Sequence, residues 1–200
     1  MMAMSSRGYF IVFEGVDGGG KSTQMKMLAD YFKDKGYEVK LHMEPTNGTI
    51  GSLIWTYMRS KNRSYSPETE ALLFAADRIE HGKTIEKLLS EGKVVISDRY
   101  LHSSLAYQGA AGVDVEWMKC LNRDTLKPDL VLLLDIDPVN SLKRVSGRDK
   151  TVFEELEYLR KVRAEYLRYV EAGELTVVDA SQGIEDVHAA IKKQVEKLIA

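Results

Sequence analysis

Gly15-Val16-Asp17-Gly18-Gly19-Gly20-Lys21-Ser22 stands between an apolar run, Tyr9-Phe10-Ile11-Val12-Phe13, and a stretch in which Met25, Leu28, Ala29 and Phe32 recur at i, i+3, i+4 and i+7. The run before it reads as a buried strand and the stretch after it as a helix with one apolar face. Strand, glycine-rich loop and helix in that order make the G-x-x-x-x-G-K-S/T phosphate-binding pattern in the context that gives it meaning. Glycines let backbone N–H groups turn inward around an anion, and the positive end of the helix dipole lies behind them. The Lys21 ammonium would reach the β- and γ-phosphates, and the Ser22 hydroxyl would ligate Mg²⁺. A glycine-rich turn with an incidental lysine does not account for both flanks. The loop implies a nucleoside triphosphate site.

The 200 residues suit one domain spanning 1–200, long enough to bury a core without disulfides. A formal net charge of −2 offers no global attraction for nucleic acid. The single cysteine, Cys120, excludes an internal disulfide and fits a reducing compartment. Within the short helical stretch Val115 to Leu121 it reads as a buried structural thiol. Met1 to Arg7 lacks the apolar core of a signal peptide, and no apolar run approaches the ~18 residues of a membrane helix. The expectation is a cytoplasmic protein with no membrane or nucleic-acid partner.

Strand-like and helix-like segments alternate along the chain. Tyr37, Val39, Leu41 and Met43 interleave with Glu38, Lys40 and His42, a strand with one face less buried. Ser66-Pro67-Glu68 reads as a helix start, with serine as cap and proline in the first turn, and that helix should run to about Ser90 and stop at Gly92. Val94 to Asp98 and Leu130 to Asp135 read as buried strands that end on carboxylates. Asp137-Pro138 caps the next helix, and a long helix follows from about Glu154 to Ala172. Leu175, Val177 and Val178 make a last strand, and Ile184, Val187, Ile191, Val195 and Leu198 stripe a closing helix. Five strands with intervening helices imply an α/β fold: a three-layer, doubly wound, five-stranded parallel sheet.

A phosphate loop serves switches, motors and kinases alike. A guanine-nucleotide switch, the main non-enzyme reading, carries an N-K-x-D motif after a core strand, and Asn122-Arg123-Asp124 has the wrong spacing and precedes its strand. Motor ATPases are larger. A compact kinase, with both substrates at the carboxyl ends of the strands, fits better. Asp98 and Arg99 support it: the carboxylate could hold a Mg²⁺ ligand water, and the guanidinium could fork onto a phosphate. The same pair could also serve only to brace its loop.

With these residues in view, the chain resembles the thymidylate kinases along nearly its whole length. The resemblance rests on Phe13-Glu14-Gly15-Val16-Asp17 running into the phosphate loop, Glu44-Pro45-Thr46, Leu72-Leu73-Phe74-Ala75-Ala76-Asp77-Arg78, and Asp98-Arg99-Tyr100 with Ser103. Ala106-Tyr107-Gln108-Gly109, Lys127-Pro128-Asp129-Leu130, Leu142-Lys143-Arg144 and Asp179-Ala180-Ser181 complete it. It implies a fold of the phosphate-loop nucleotide kinase type, and transfer of the ATP γ-phosphoryl group to thymidine 5′-monophosphate with Mg²⁺, in thymidine triphosphate synthesis. It also implies a homodimer.

By that resemblance Phe74 stacks on thymine, Arg78 hydrogen-bonds its edge, and Ser103 and Gln108 face the base. Tyr107 lies under the deoxyribose, Arg99 grips the acceptor phosphate, and Asp17 sits near the sugar and that phosphate. ATP falls to Gly15, Val16, Asp17, Gly18, Gly19, Gly20, Lys21, Ser22 and Thr23, with Arg144, Ala180 and Ser181 around adenine. Ser22 and Asp98 take the metal. Lys21, Arg99, Asp17 and Arg148 carry the catalysis, with no obligatory general base. By spacing alone Phe74 could equally be core, Tyr107 could simply pack over its loop, and Arg144, Arg148 and Lys150 could be a solvated face. Residues 144–153, with Gly147 and few apolar side chains, otherwise read as a lid.

Two features depart from the family pattern. Gly18 and Gly19 leave the phosphate loop without the basic residue found in many members, which turns attention to Arg148 and Lys150. Met43 stands where many members have arginine before the Glu-Pro pair, which leaves Glu44 without its usual neighbour.

Overall fold

The computed structural model describes residues 7–145 and 156–200. Five strands, β1 (Phe10–Glu14), β2 (Val39–Met43), β3 (Val94–Asp98), β4 (Leu130–Asp135) and β5 (Thr176–Asp179), form one parallel sheet in the order β2-β3-β1-β4-β5. The helices are α1 (Lys21–Asp34), α2 (Thr49–Arg59), α3 (Pro67–Ser90), α4 (Leu101–Ala110), α5 (Val115–Leu121), α6 (Pro138–Val145), α7 (Leu156–Glu171) and α8 (Ile184–Ile199). α1 packs on α8, while α3 packs on α4 and α4 on α5 and α7, so helices cover both faces of the sheet. β1 is buried throughout, as expected of a central strand in a doubly covered sheet.

Local signals place several boundaries. Ser66 Oγ accepts from the Thr69 N–H at 3.2 Å, and Pro67 opens α3, whose lost N–H costs nothing at that position. Asp137 Oδ1 accepts from the Val139 N–H at 2.9 Å and caps α6. Gly92 follows α3 with φ 75°, a left-handed conformation that favours glycine.

Three expectations are corrected. Cys120 is exposed, because α5 is a seven-residue helix that buries only Met118. Ile184 is exposed too, although Val187, Ile191 and Val195 behind it are buried: it opens α8 before the helix settles on its neighbours. In β2 the expected burial holds at the start, where Tyr37 and Val39 pack against the core, and reverses at the end. Leu41 and Met43 face outward, while Lys40 and His42 are half-buried. β2 is an edge strand, and His42 there is turned to His81 of α3.

Candidate active site

β1 and β3 are neighbours whose following helices leave on opposite faces of the sheet, and their carboxyl ends open a crevice. The phosphate loop closes one side of it. Gly15, with φ 127°, runs so close to β4 that a Cβ would meet the Leu134 carbonyl oxygen at 2.6 Å. Gly18, with φ 78°, lies as close to α6, where a Cβ would sit 2.5 Å from the Ser141 carbonyl oxygen. Both positions need glycine for space as well as for φ. α1 begins directly behind: Thr23 and Gln24 make its first bonds, to the Gly20 carbonyl at 3.1 Å, and the Lys21 and Ser22 N–H groups lie ahead of them.

Lys21 is 5% exposed. Its ammonium donates to the Gly15 and Val16 carbonyls at 3.0 and 3.2 Å, and lies 3.8 Å from both Asp17 and Asp98 carboxylates. Burial pushes its pKa down, and Arg99 adds to that, while the nearby carboxylates oppose it. An anion delivered to the loop would relieve this desolvation.

Arg99 has φ 68°, unusual for a residue with a Cβ and a mark of a position held for function. Its Nη2 donates to Asp17 Oδ1 at 2.7 Å and to the Tyr107 hydroxyl at 3.3 Å, and Nη1 donates to Ser103 Oγ at 3.1 Å. The guanidinium carbon stands 5.0 Å from the Tyr107 ring centre, in cation–π range. Arg99 holds the Asp17 carboxyl down to about 2. Burial opposes the Arg99 charge, but Tyr107, Asp17, Tyr166 and Asp98 outweigh it.

A carboxylate with no role expected from its sequence position holds this corner. Glu14, at the end of β1 and fully buried, accepts through Oε1 from the Tyr100 and Ser103 N–H groups at 3.0 and 3.1 Å. Through Oε2 it accepts from Ser103 Oγ at 2.6 Å and from the Tyr166 hydroxyl at 2.9 Å. Four bonds on one carboxylate anchor the turn that carries Arg99 in its left-handed conformation. A charged residue closing an apolar strand was the available signal.

Asp17, Phe74, Arg78, Asp98, Arg99, Ser103, Tyr107 and Gln108 all line one cleft, so the residues expected around the acceptor come together. Glu44, Pro45, Trp55, Met58 and Ser104 line it as well, although sequence reasoning gave them no role. Phe74 is half-buried with its ring on the cleft. Arg78 is 1% exposed, and its Nε and Nη2 meet Glu44 Oε2 at 2.9 Å. Nη1 donates to Asn122 Oδ1 at 2.8 Å, and Nη2 to Ser104 Oγ and the Tyr100 carbonyl at 2.9 and 3.1 Å. Two buried acceptors on the cleft, Gln108 Oε1 and Asp98 Oδ1, have no hydrogen-bond partner among the described residues. Buried acceptors of this kind call for a ligand.

Ser22 and Asp98 line a neighbouring groove, together with His42 and Asn47. Arg144 reaches the Ala180 carbonyl at 3.2 Å and the Gly18 carbonyl at 3.5 Å, which joins α6, the phosphate loop and the turn after β5 where adenine was expected. Ser181 is exposed there and bonds Asp179 Oδ1 through its N–H and Oγ. Thr23 is exposed on the first turn of α1. Arg148 and Lys150, and the lid from residue 146 onward, lie outside the described residues.

Comparison with known proteins identifies the family. The profile described as thymidylate kinase matches residues 13–191. The chain is 49% identical to the probable thymidylate kinase of Thermococcus gammatolerans, across 96% of this chain and 98% of that one. It is 50% identical to the probable thymidylate kinase of Pyrococcus horikoshii, across 92% and 94%. Among solved structures, thymidylate kinase from Candida albicans superposes with a TM-score of 0.85 at 28% identity, across 96% of this chain and 92% of that one. A match over nearly every element, including those that carry the cleft, leaves one assignment: this chain belongs to the thymidylate kinase family.

Proposed function

We propose that the protein transfers the γ-phosphoryl group of ATP to thymidine 5′-monophosphate, giving the diphosphate on the route to thymidine triphosphate. One observation carries this reading. The cleft pairs a guanidinium donor, Arg78, with a bare buried acceptor, Gln108 Oε1, beside the Phe74 ring and within one cavity with Arg99. Thymine presents an O4 acceptor and an N3–H donor to such a pair, whereas cytosine presents the reverse. Tyr107, with its hydroxyl on Arg99, would lie under the deoxyribose, and Arg99 would hold the acceptor phosphate beside Asp17.

The chemistry asks little covalent help of the protein. An acceptor phosphate oxygen forms the new bond to the γ-phosphorus as the bond to the β-phosphate oxygen breaks. Lys21 and Arg99 stand on either side of Asp17 and would neutralise charge on donor and acceptor. Asp98 Oδ1, with no hydrogen bond among the described residues and the Lys21 ammonium at 3.8 Å, lies in one groove with Ser22 and fits a hydrated Mg²⁺, which would shield the donor phosphates when bound. Arg144, on the Ala180 carbonyl, would lie against adenine, and Arg148 would bring the cation that Gly18 and Gly19 lack.

Among the described residues no helix is long and apolar enough to cross a membrane. Leu72 and Ile79, two turns apart on α3, are 48% and 45% exposed, and a second copy of the chain would cover them in a homodimer.

Phe74→Ala tests the cleft. Acceptor KM should rise by the equivalent of roughly 1–3 kcal/mol of lost stacking, with ATP KM nearly unchanged. Equal weakening of both substrates together with a lower Tm would mean that Phe74 is core and the base lies elsewhere.

A further inference from the structure

The cleft has a back wall that the reaction does not explain. Behind Arg78, Glu44 is 5% exposed, and its two oxygens are divided between partners. Oε2 takes the Arg78 guanidinium, while Oε1 lies 2.9 Å from His81 Nδ1. His81 is itself 5% exposed, and its Nε2 lies 2.9 Å from His42 Nδ1. The two imidazoles are near-parallel, 20° apart, with centroids 5.1 Å apart. His42 reaches the groove of about 810 Å³ that also holds Ser22 and Asp98. Four side chains from β2, the turn after it and α3 thus form one line, from that groove to the base pocket.

Hydrogen-bond roles along the line are determined by its end. A carboxylate can only accept, so His81 Nδ1 carries the proton. In its neutral Nδ1–H tautomer His81 offers a lone pair at Nε2, and His42 Nδ1 donates to it. Burial above all holds the His42 pKa down to about 4, so that ring is neutral near pH 7. Every donor in the line therefore points the same way, toward Glu44, and bonds so arranged polarise one another. The result at the guanidinium is orientation. Nε and Nη2 are taken up by Glu44, Ser104 and the Tyr100 carbonyl, while Nη1 has a single acceptor, Asn122, among the described residues. One N–H of Nη1 remains for a ligand.

We propose that His81, aimed by His42, is a positioning residue for base recognition: it holds Glu44 in the rotamer that presents the Arg78 guanidinium to the pyrimidine. The proposal rests on the reading that Arg78 meets the base of the acceptor. Removing the His81 donor frees Oε1 and lets Glu44 turn, so the guanidinium loses its aim while the phosphate loop is untouched.

The test uses His81→Leu and His81→Asn in the full chain, with steady-state kinetics and Tm. In His81→Leu, thymidine monophosphate KM should rise about tenfold, the size of a lost hydrogen bond to a charged group. Its kcat and ATP KM should stay within about twofold of wild type. Asparagine can place its Nδ2–H where the Nδ1–H stood, so His81→Asn should recover most of the loss. Inhibition by 2-deoxyribose 5-phosphate, which has no base, should be the same in all three proteins; a merely structural role would move it. Long-range ¹H–¹⁵N spectra of the wild type should show His81 as the Nδ1–H tautomer, and His42→Leu should shift its Nε2 resonance. These spectra decide the matter even if His81→Leu does not fold. An Nε2–H tautomer, or a base-free inhibitor weakened in step with the nucleotide, overturns the proposal. So does an active wild type whose acceptor KM is unmoved in a folded His81→Leu. A wild type that leaves thymidine monophosphate unphosphorylated would sink the underlying reading first, and the proposal with it.

Discussion

Lys21→Ala is expected to lower kcat by about 10²–10³-fold, the usual loss when one preorganised donor at a developing charge is removed. The fold should survive the change. In the protein without nucleotide the Lys21 ammonium only bridges two carbonyls of its own loop and stands between two carboxylates at 3.8 Å. Its burial is costly there and is repaid only when phosphates arrive. Tm should therefore change little, while triphosphate turnover collapses. Lys21→Arg should not restore it, because a planar fork does not fit where Gly15 and Gly18 press the loop against β4 and α6. Measured kcat within tenfold of wild type, or a loss of Tm that accounts for the activity, would contradict this role.

Arg99→Ala should reduce kcat/KM for the acceptor by about 10²–10³-fold, and Arg99→Lys should recover part of that, since an ammonium cannot fork across two phosphate oxygens. The substitution also releases Asp17. Arg99 holds that carboxyl at about 2 against an ordinary 3.8, so the pair stabilises the folded state above pH 4 and loses its contribution as pH falls through about 2. Any Tm advantage of wild type over Arg99→Ala should shrink across that window. It should be small throughout, because the Asp17 side chain is 44% exposed and solvent screens the pair. A variant with wild-type acceptor kinetics would move the phosphate grip from Arg99 to another cation.

The donor half of the site was legible because its signals are local. A buried strand, glycines and Lys-Ser occupy adjacent positions, and their meaning survives without knowledge of the rest of the fold. Phe74 and Arg78 were legible in pattern, one turn apart on a helix, though spacing alone could not separate a base platform from core. What the sequence concealed was the support behind them. His42 and Glu44 meet His81 and Arg78 of α3 because β2 lies outside β3 in the sheet, while Ser104 and Asn122 reach Arg78 from α4 and the end of α5. Asn122 drew notice only as part of a guanine motif with the wrong spacing, yet it is the acceptor for Arg78 Nη1. β2 misled for a related reason: in an edge strand beside a polar site, the half-buried positions went to His42 and Lys40, and Leu41 and Met43 turned outward.

Glu14 shows the same limit at closer range. It lies inside the stretch that opens the family resemblance, but a strand-ending carboxylate gives no sign of which backbone it will anchor. Only the parallel pairing of β1 with β3 brings the Tyr100 and Ser103 N–H groups to it. The left-handed Arg99 follows from that anchor. Tyr166, from α7 at the far end of the chain, completes it.

The central claim is that the cleft between Phe74, Arg78, Gln108 and Arg99 takes thymidine 5′-monophosphate as phosphoryl acceptor. Release of ADP from Mg·ATP, followed with thymidine, deoxyuridine, deoxycytidine and deoxyguanosine monophosphates at equal concentration, tests it most directly. Thymidine monophosphate should have the highest kcat/KM. Deoxyuridine monophosphate should follow within the ~1–3 kcal/mol that one methyl group is worth in an apolar pocket. Deoxycytidine monophosphate, whose N4–H donor and N3 acceptor reverse the pattern, should fall far below both, and deoxyguanosine monophosphate should fall with it because its two-ring base is larger than the pyrimidine that the cleft is proposed to hold. Highest activity with deoxycytidine or deoxyguanosine monophosphate, or no transfer to any of the four, would contradict the account.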